Sequence, residues 1–194
     1  MNLHLISLDC PACGSALHGE GLDTIFFCEH CGSAATLSAN GLEMVEGSAL
    51  VPAPGRHAGM WKPAWLIEAD VTIADRVRAG GRSSAGWQAR RKFVIPAFVT
   101  PLGDLTRLAR ALSEAAATTA EVPRDPIHGG TLAVEDAVTF IRHILIGDEV
   151  RKSDMLASVR VDIEMVGSRL VAIPFEQTRD GMRCAVTGVM VRTE

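Results

Sequence analysis

The clearest pattern in the chain lies towards its end, where Val159, Val161, Ile163 and Met165 alternate with Arg160, Asp162 and Glu164. A period of two belongs to a strand with one buried face. Gly167-Ser168 predicts a turn into a second strand over 169–175, and Asp180-Gly181 a turn into a third over 182–191. Upstream, Val71, Ile73 and Val77 alternate in the latter half of an extended segment, 61–77, and a further strand is expected over 91–99. Between these regions the period becomes helical. Leu102, Leu105, Leu108, Ala109 and Leu112 share one face behind Thr100-Pro101, a capping residue followed by a first-turn proline. Val134, Ala137, Val138, Ile141 and Leu145 form a second such face, with Gly147 placed to stop the helix. The prediction is an α+β body: an antiparallel sheet with one face covered by two helices.

The front of the chain has shorter elements. Ile25-Phe26-Phe27 reads as a strand, 34–38 as a second, and Asn40-Gly41 as a tight turn into a third over 42–45. Pro52, Pro54 and several glycines make 48–60 a linker, dividing the chain into a module over 1–47 and a body over 61–194. Lys62-Pro63-Ala64-Trp65, Ile95-Pro96-Ala97-Phe98 and Ile173-Pro174-Phe175 repeat a proline before an aromatic. Proline offers no ladder donor, so each is expected at a strand start, bulge or edge.

Candidate chemistry concentrates in that front module. Cys10-Pro11-Ala12-Cys13-Gly14 and Cys28-Glu29-His30-Cys31-Gly32 are two knuckles of one form. Two residues between cysteines let a tight turn aim both sulfurs at one ion, and the glycine can take the left-handed conformation the turn needs. Two pairs complete a tetrahedron with no coordination position left for water. Cys10, Cys13, Cys28 and Cys31 are therefore expected to hold structural Zn2+, folding the module as a zinc ribbon. The competing ion is iron in a rubredoxin-like electron-transfer site. With four thiolates available, His4, His18 and His30 are expected outside the coordination sphere. Cys184, among Ala185 and Val186, reads as a small buried hydrophobe.

Composition adds limits. Of 194 residues, 47% are hydrophobic and 22% charged, which excludes general disorder. Mean hydropathy is +0.19, high enough to suggest apolar surface covered by a partner. No run approaches the roughly eighteen apolar residues that span a bilayer. Residues 1–8 lack the basic flank and apolar stretch of a signal peptide, so a cytoplasmic protein is expected. The net charge of −4 is unevenly spread. Residues 1–55 contain no Lys or Arg, whereas Arg76, Arg78, Arg82, Arg90, Arg91 and Lys92 follow one another without an acid. This stretch, 76–92, is the candidate for nucleic acid, but an acidic ribbon beside it would be repelled by phosphate. Gly80 to Gly86 lacks the Gly-Lys-Ser/Thr and following helix of a phosphate loop. Trp61, Trp65 and Trp87 are expected in the core or an interface. No spacing suggests a catalytic Cys-His or Ser-His-Asp arrangement.

The two cysteine pairs and the three proline-aromatic strands together resemble a group of uncharacterised bacterial zinc-ribbon proteins with a C-terminal α+β body. That resemblance implies the four zinc ligands and no catalytic residue. The expected function is non-catalytic: a protein-binding adaptor or accessory subunit, in a larger complex or a homo-oligomer. A nucleic-acid-associated regulator using 76–92 is the alternative.

Overall fold

The computed structural model describes residues 6–152 and 155–192. In chain order its elements are β1 (Ile25–Phe27), β2 (Ala34–Ser38), β3 (Gly41–Val45), β4 (Gly47–Leu50), β5 (Met60–Arg78), β6 (Ser83–Ser84), β7 (Trp87–Pro96), α1 (Leu102–Glu114), β8 (Thr119–Ala120), α2 (Val134–Val150), β9 (Leu156–Thr178), β10 (Gly181–Cys184) and β11 (Met190–Val191). The result is a mostly antiparallel α+β fold with two helices among the described residues.

β1, β2 and β3 form a separate three-stranded sheet in that order, turned at Gly41, whose φ of 115° suits glycine. The body is built on β5, which pairs antiparallel with β7 on one side and β9 on the other. The far edge of β9 takes β4 in parallel at Leu170–Ala172 and then β10 antiparallel from Phe175. β8 and β11 extend β4 and β10.

Alternation along β5 sends Trp65, Ile67, Ala69, Val71 and Ile73 to one face, where Ala137, Ile141, Ile144 and Leu145 of α2 cover them. On the opposite face, at the end near β10, Ala64, Val94, Val171, Ile173 and Phe175 pack with Leu108 and Leu112 of α1. Helices thus occupy both sides, not the single face expected. α1 also closes part of the outer edge of β7, where the Val94 N–H donates to Ser113 Oγ at 3.0 Å.

Several expectations change. Gly167-Ser168 does not turn the chain: β9 runs unbroken for 23 residues. β5 supplies a continuous partner on its flank, and the irregularity is absorbed as a bulge opposite Glu68/Ala69. Gly147 does not stop α2, which continues to Val150. Glu149 is held from three directions (see below), which outweighs the roughly 1 kcal/mol that an interior glycine costs. A Cβ at 147 would lie 3.0 Å from Arg110 Nη2, which that side chain's end would have to yield. Thr100 does not cap α1; the cap position is Pro101, with no side-chain cap bond. A strand, Gly47–Leu50, runs across the expected boundary between module and linker, because Ala49 and Leu50 are buried against the body. The three proline-aromatic motifs meet at one end of the sheet: Ala64 faces Pro96, Trp61 faces Pro174, and Pro63 lies one residue beyond the ladder to β7. That is where missing donors cost least.

Candidate metal centre

Each cysteine pair sits on a turn fixed by matching backbone bonds. The Gly14 N–H donates to the Cys10 carbonyl at 2.8 Å and the Cys10 N–H to the Ser15 carbonyl at 2.8 Å. Gly32 to Cys28 at 2.7 Å and Cys28 to Ser33 at 2.8 Å repeat the arrangement. Gly14 and Gly32 have φ of 73° and 77°, a conformation in which a side chain is strained. The sequence Cys-x-x-Cys-Gly-Ser, present twice, therefore specifies one local structure twice.

The turns bring all four sulfurs together. Cys10 Sγ lies 3.6 Å from Cys31 Sγ, and Cys13 Sγ lies 3.6 Å from Cys28 Sγ. All four Sγ atoms fall within 4.8 Å of one another. A tetrahedral ion with metal–sulfur bonds of about 2.3 Å needs sulfur–sulfur edges of about 3.8 Å. Cys10, Cys13, Cys28 and Cys31 thus form a group that can hold a metal ion, and the donor set fits a closed thiolate site.

The surroundings favour thiolates unevenly. Ser33 Oγ lies 2.6 Å from Cys31 Sγ, and its hydroxyl and backbone bonds hold the Cys31 thiol down at about 6. Ser15 lowers Cys13 in the same way. Burial pushes Cys28 up to about 12. A cation is the partner that would keep all four deprotonated together. Leu17 and Phe26 pack beside Cys10 and Cys28 as an apolar wall.

The module is not suspended from the body. Ile25, Phe27 and Ala34 belong to the same core as Trp65 and Ile141. Thr24 and Ile25 both donate to the Gly130 carbonyl, at 2.6 and 3.0 Å. Gly130 is required by this approach, because a Cβ there would lie 2.5 Å from Ile25 Cβ. Asp23 accepts from the N–H groups of Glu20 at 2.9 Å and Gly129 at 3.1 Å. Arg124, from the loop before α2, donates to the His30 carbonyl within the second knuckle. This is a residue that sequence reasoning missed. A lone arginine in a loop rich in Pro and Gly carries no periodicity, and only the fold brings its charge to the acidic module.

Other candidates fall in different places. His18 and His30 are outside the sulfur group; His18 Nδ1 lies 3.9 Å from Glu29 and is largely exposed. His4 is outside the described residues. Cys184 is fully buried. The indole N–H groups of Trp61, Trp65 and Trp87 donate to Asp125, the Leu132 carbonyl and Glu149. The Gly80–Gly86 segment forms a hairpin with β6 at its base.

The basic stretch is dispersed. Arg76 is buried, with Nε 2.7 Å from Glu149 Oε2 and Nη1 2.8 Å from Ser84 Oγ. Arg90 makes two bonds to Asp70, at 2.9 and 2.7 Å. The Arg91 guanidinium lies over the rings of Trp87 and Phe93. Arg78, Arg82 and Lys92 are exposed. Sequence adjacency therefore does not become one cationic surface.

A cleft of ≈ 520 Å³ opens between the cysteine module and the body, lined by Leu22, Asp23, Lys62, Phe98, Val99 and Met182, among others. Leu22 and Val99 stand at its rim, 80% and 66% exposed. Among the described residues, no helix is long and apolar enough to cross a membrane. Compared with known proteins, the chain matches no family model, no curated protein and no solved structure.

Proposed function

We propose that the N-terminal module is a zinc ribbon with a structural ion, and that the protein is a non-catalytic adaptor or accessory subunit. One observation carries this reading: the sulfur group lies on a module whose inner strand face is part of the body's core. Four thiolates complete zinc's tetrahedron, so the ion has no position for a substrate. Its role is to hold a surface in shape. The surface in question is the cleft beside it, where Leu22 and Val99 stand as apolar rims over Phe98 and Met182. Asp23 and Lys62 supply charges of both signs at the same place, suiting a partner segment with an apolar anchor and polar flanks.

Elemental analysis is expected to find one zinc per chain. Stoichiometric iron with reversible one-electron reduction would favour the rubredoxin-like alternative. For the adaptor role, tagged wild-type and Leu22→Asp/Val99→Asp proteins are purified from the native cell. A protein retained by the first and lost from the second supports the reading. Recovery of isolated protein in both cases, together with salt-sensitive DNA binding, would replace it with the nucleic-acid regulator.

A further inference from the structure

The outer edge of β9 is bare over more than half the strand. On that side β4 begins at Leu170 and β10 at Phe175, and among the described residues no strand pairs with 156–168 there. Proteins usually guard such an edge with charged side chains (lysine above all), proline, a β-bulge or a covering segment. Leu156 to Ser168 contains neither lysine nor proline; its charges are Arg160, Asp162 and Glu164 on one face, and its bulge lies beyond them, opposite Glu68/Ala69. Its amides and carbonyls form a template for another strand.

We propose that this edge pairs antiparallel with the same edge of a second copy, centred on Val161, joining two sheets into one. The inference is independent of the adaptor reading. The register follows from the side chains. Val159, Val161 and Ile163 pack on the α2 side, and Arg160, Asp162 and Glu164 face the other way. Registers that set an odd position opposite an even one would place apolar against polar faces. Among in-phase registers, centring on Asp162 puts two aspartates on the axis, and centring on Arg160 puts two arginines there. Centring on Val161 sets Arg160 opposite Asp162 twice, Val159 opposite Ile163 twice and Ser158 opposite Glu164 twice. Arg160 Nη1 already lies 3.2 Å from Asp162 of its own strand, so the four groups would alternate in sign.

The apolar face of β9 gives a second reason. Met165, 44% exposed on the apolar face of β9, would be covered opposite Ala157. The outer edge of β7 is partly closed by α1, and a self-pairing centred on Arg91 would set Arg90 against Lys92 and Arg91 against its own copy.

Sedimentation equilibrium of the full chain with its metal tests this. The wild type is expected at twice 20.7 kDa. Arg160→Asp and Asp162→Arg, each creating two like-charge pairs across the axis, are expected to weaken the dimer about tenfold or more; Arg160→Asp also removes the 2.8 Å ion pair to Asp75 of its own chain. The combined Arg160→Asp/Asp162→Arg exchange restores it. Circular dichroism and thiol titration establish that each variant is folded. In parallel, hydrogen exchange of the wild type should show amides within 157–165 gaining protection as protein concentration rises. A monomer at every concentration, a dimer indifferent to the single exchanges, failure of the double exchange to restore it, masses that keep growing by open stacking, or concentration-independent protection would each overturn the proposal.

Discussion

The cysteine module and the sheet body solve the same problem with different means. Both are built from strands whose alternation leaves an apolar face. The body closes its face with a large core, in which Ile67, Ile73, Phe93, Ile95 and Ile141 are almost fully buried. The module's own cluster contains only Cys10, Leu17, Phe26 and Cys28 as buried members. Two of these are sulfur ligands of the candidate site. A segment with so little apolar surface needs a cross-link, and four sulfurs within 4.8 Å of one another provide the place for one. The difference teaches where each region is vulnerable: the module through the metal ion its four sulfurs can hold, the body through its packing and one buried ion pair.

Removing the ion should separate the two regions most sharply. Cys28→Ser, or chelation of the wild type, is expected to remove folding energy on the order of 10 kcal/mol from the module. Ile25, Phe27 and Ala34 are shared with the body core, so the body should melt earlier as well. Thermal unfolding followed by circular dichroism, with hydrogen exchange at 25–27, checks both parts. An unchanged body transition would show the regions to be independent.

The buried pair Arg76–Glu149 comes next. Burial pushes the Glu149 carboxyl up, but hydrogen bonds from Lys152, Arg76 and Trp87 outweigh it, leaving the group below its ordinary value. A depressed folded value means that the stabilisation is present above the unfolded value of about 4.3 and is lost as pH falls through the folded one. Glu149→Ala should cost about 3–5 kcal/mol at neutral pH, because Arg76 stays buried without that carboxylate. Urea titrations at neutral and acid pH are expected to show this cost shrinking in acid. A constant cost at both values would assign it to packing alone.

Ser33→Ala is the smallest of the three. Without the hydroxyl 2.6 Å away, the Cys31 thiol rises from about 6, and metal affinity is expected to fall about ten- to hundredfold. Competition against a coloured chelator at neutral pH measures it. An unchanged affinity would mean that the knuckle backbone alone sets the site.

Much of this molecule was legible before any coordinates. The four candidate ligands, the strands at 25–27 and 34–38 and the Asn40-Gly41 turn are local features, each fixed by residues within a few positions of one another. The apolar faces of both helices were visible for the same reason, except at Leu102, which the first turn of α1 leaves 59% exposed. The failures share a cause too. Gly167-Ser168 has the composition of a turn, and Gly147 that of a helix end. Each was overridden by a partner far along the chain, β5 in one case and the side chains holding Glu149 in the other. Arg76 looked like part of a basic patch because sequence records neighbours and not depth.

The chain by itself determined the two knuckles and the periods of its strands and helices, because turn chemistry and side-chain alternation act over a few residues. Only the tertiary structure decided that Arg124 reaches the second knuckle, that Gly130 must lack a side chain, that Arg76 is interior and that half of β9 has an open edge. Those outcomes depend on which distant segments meet, and a contact between positions 30 and 124 leaves no trace in the local pattern of either.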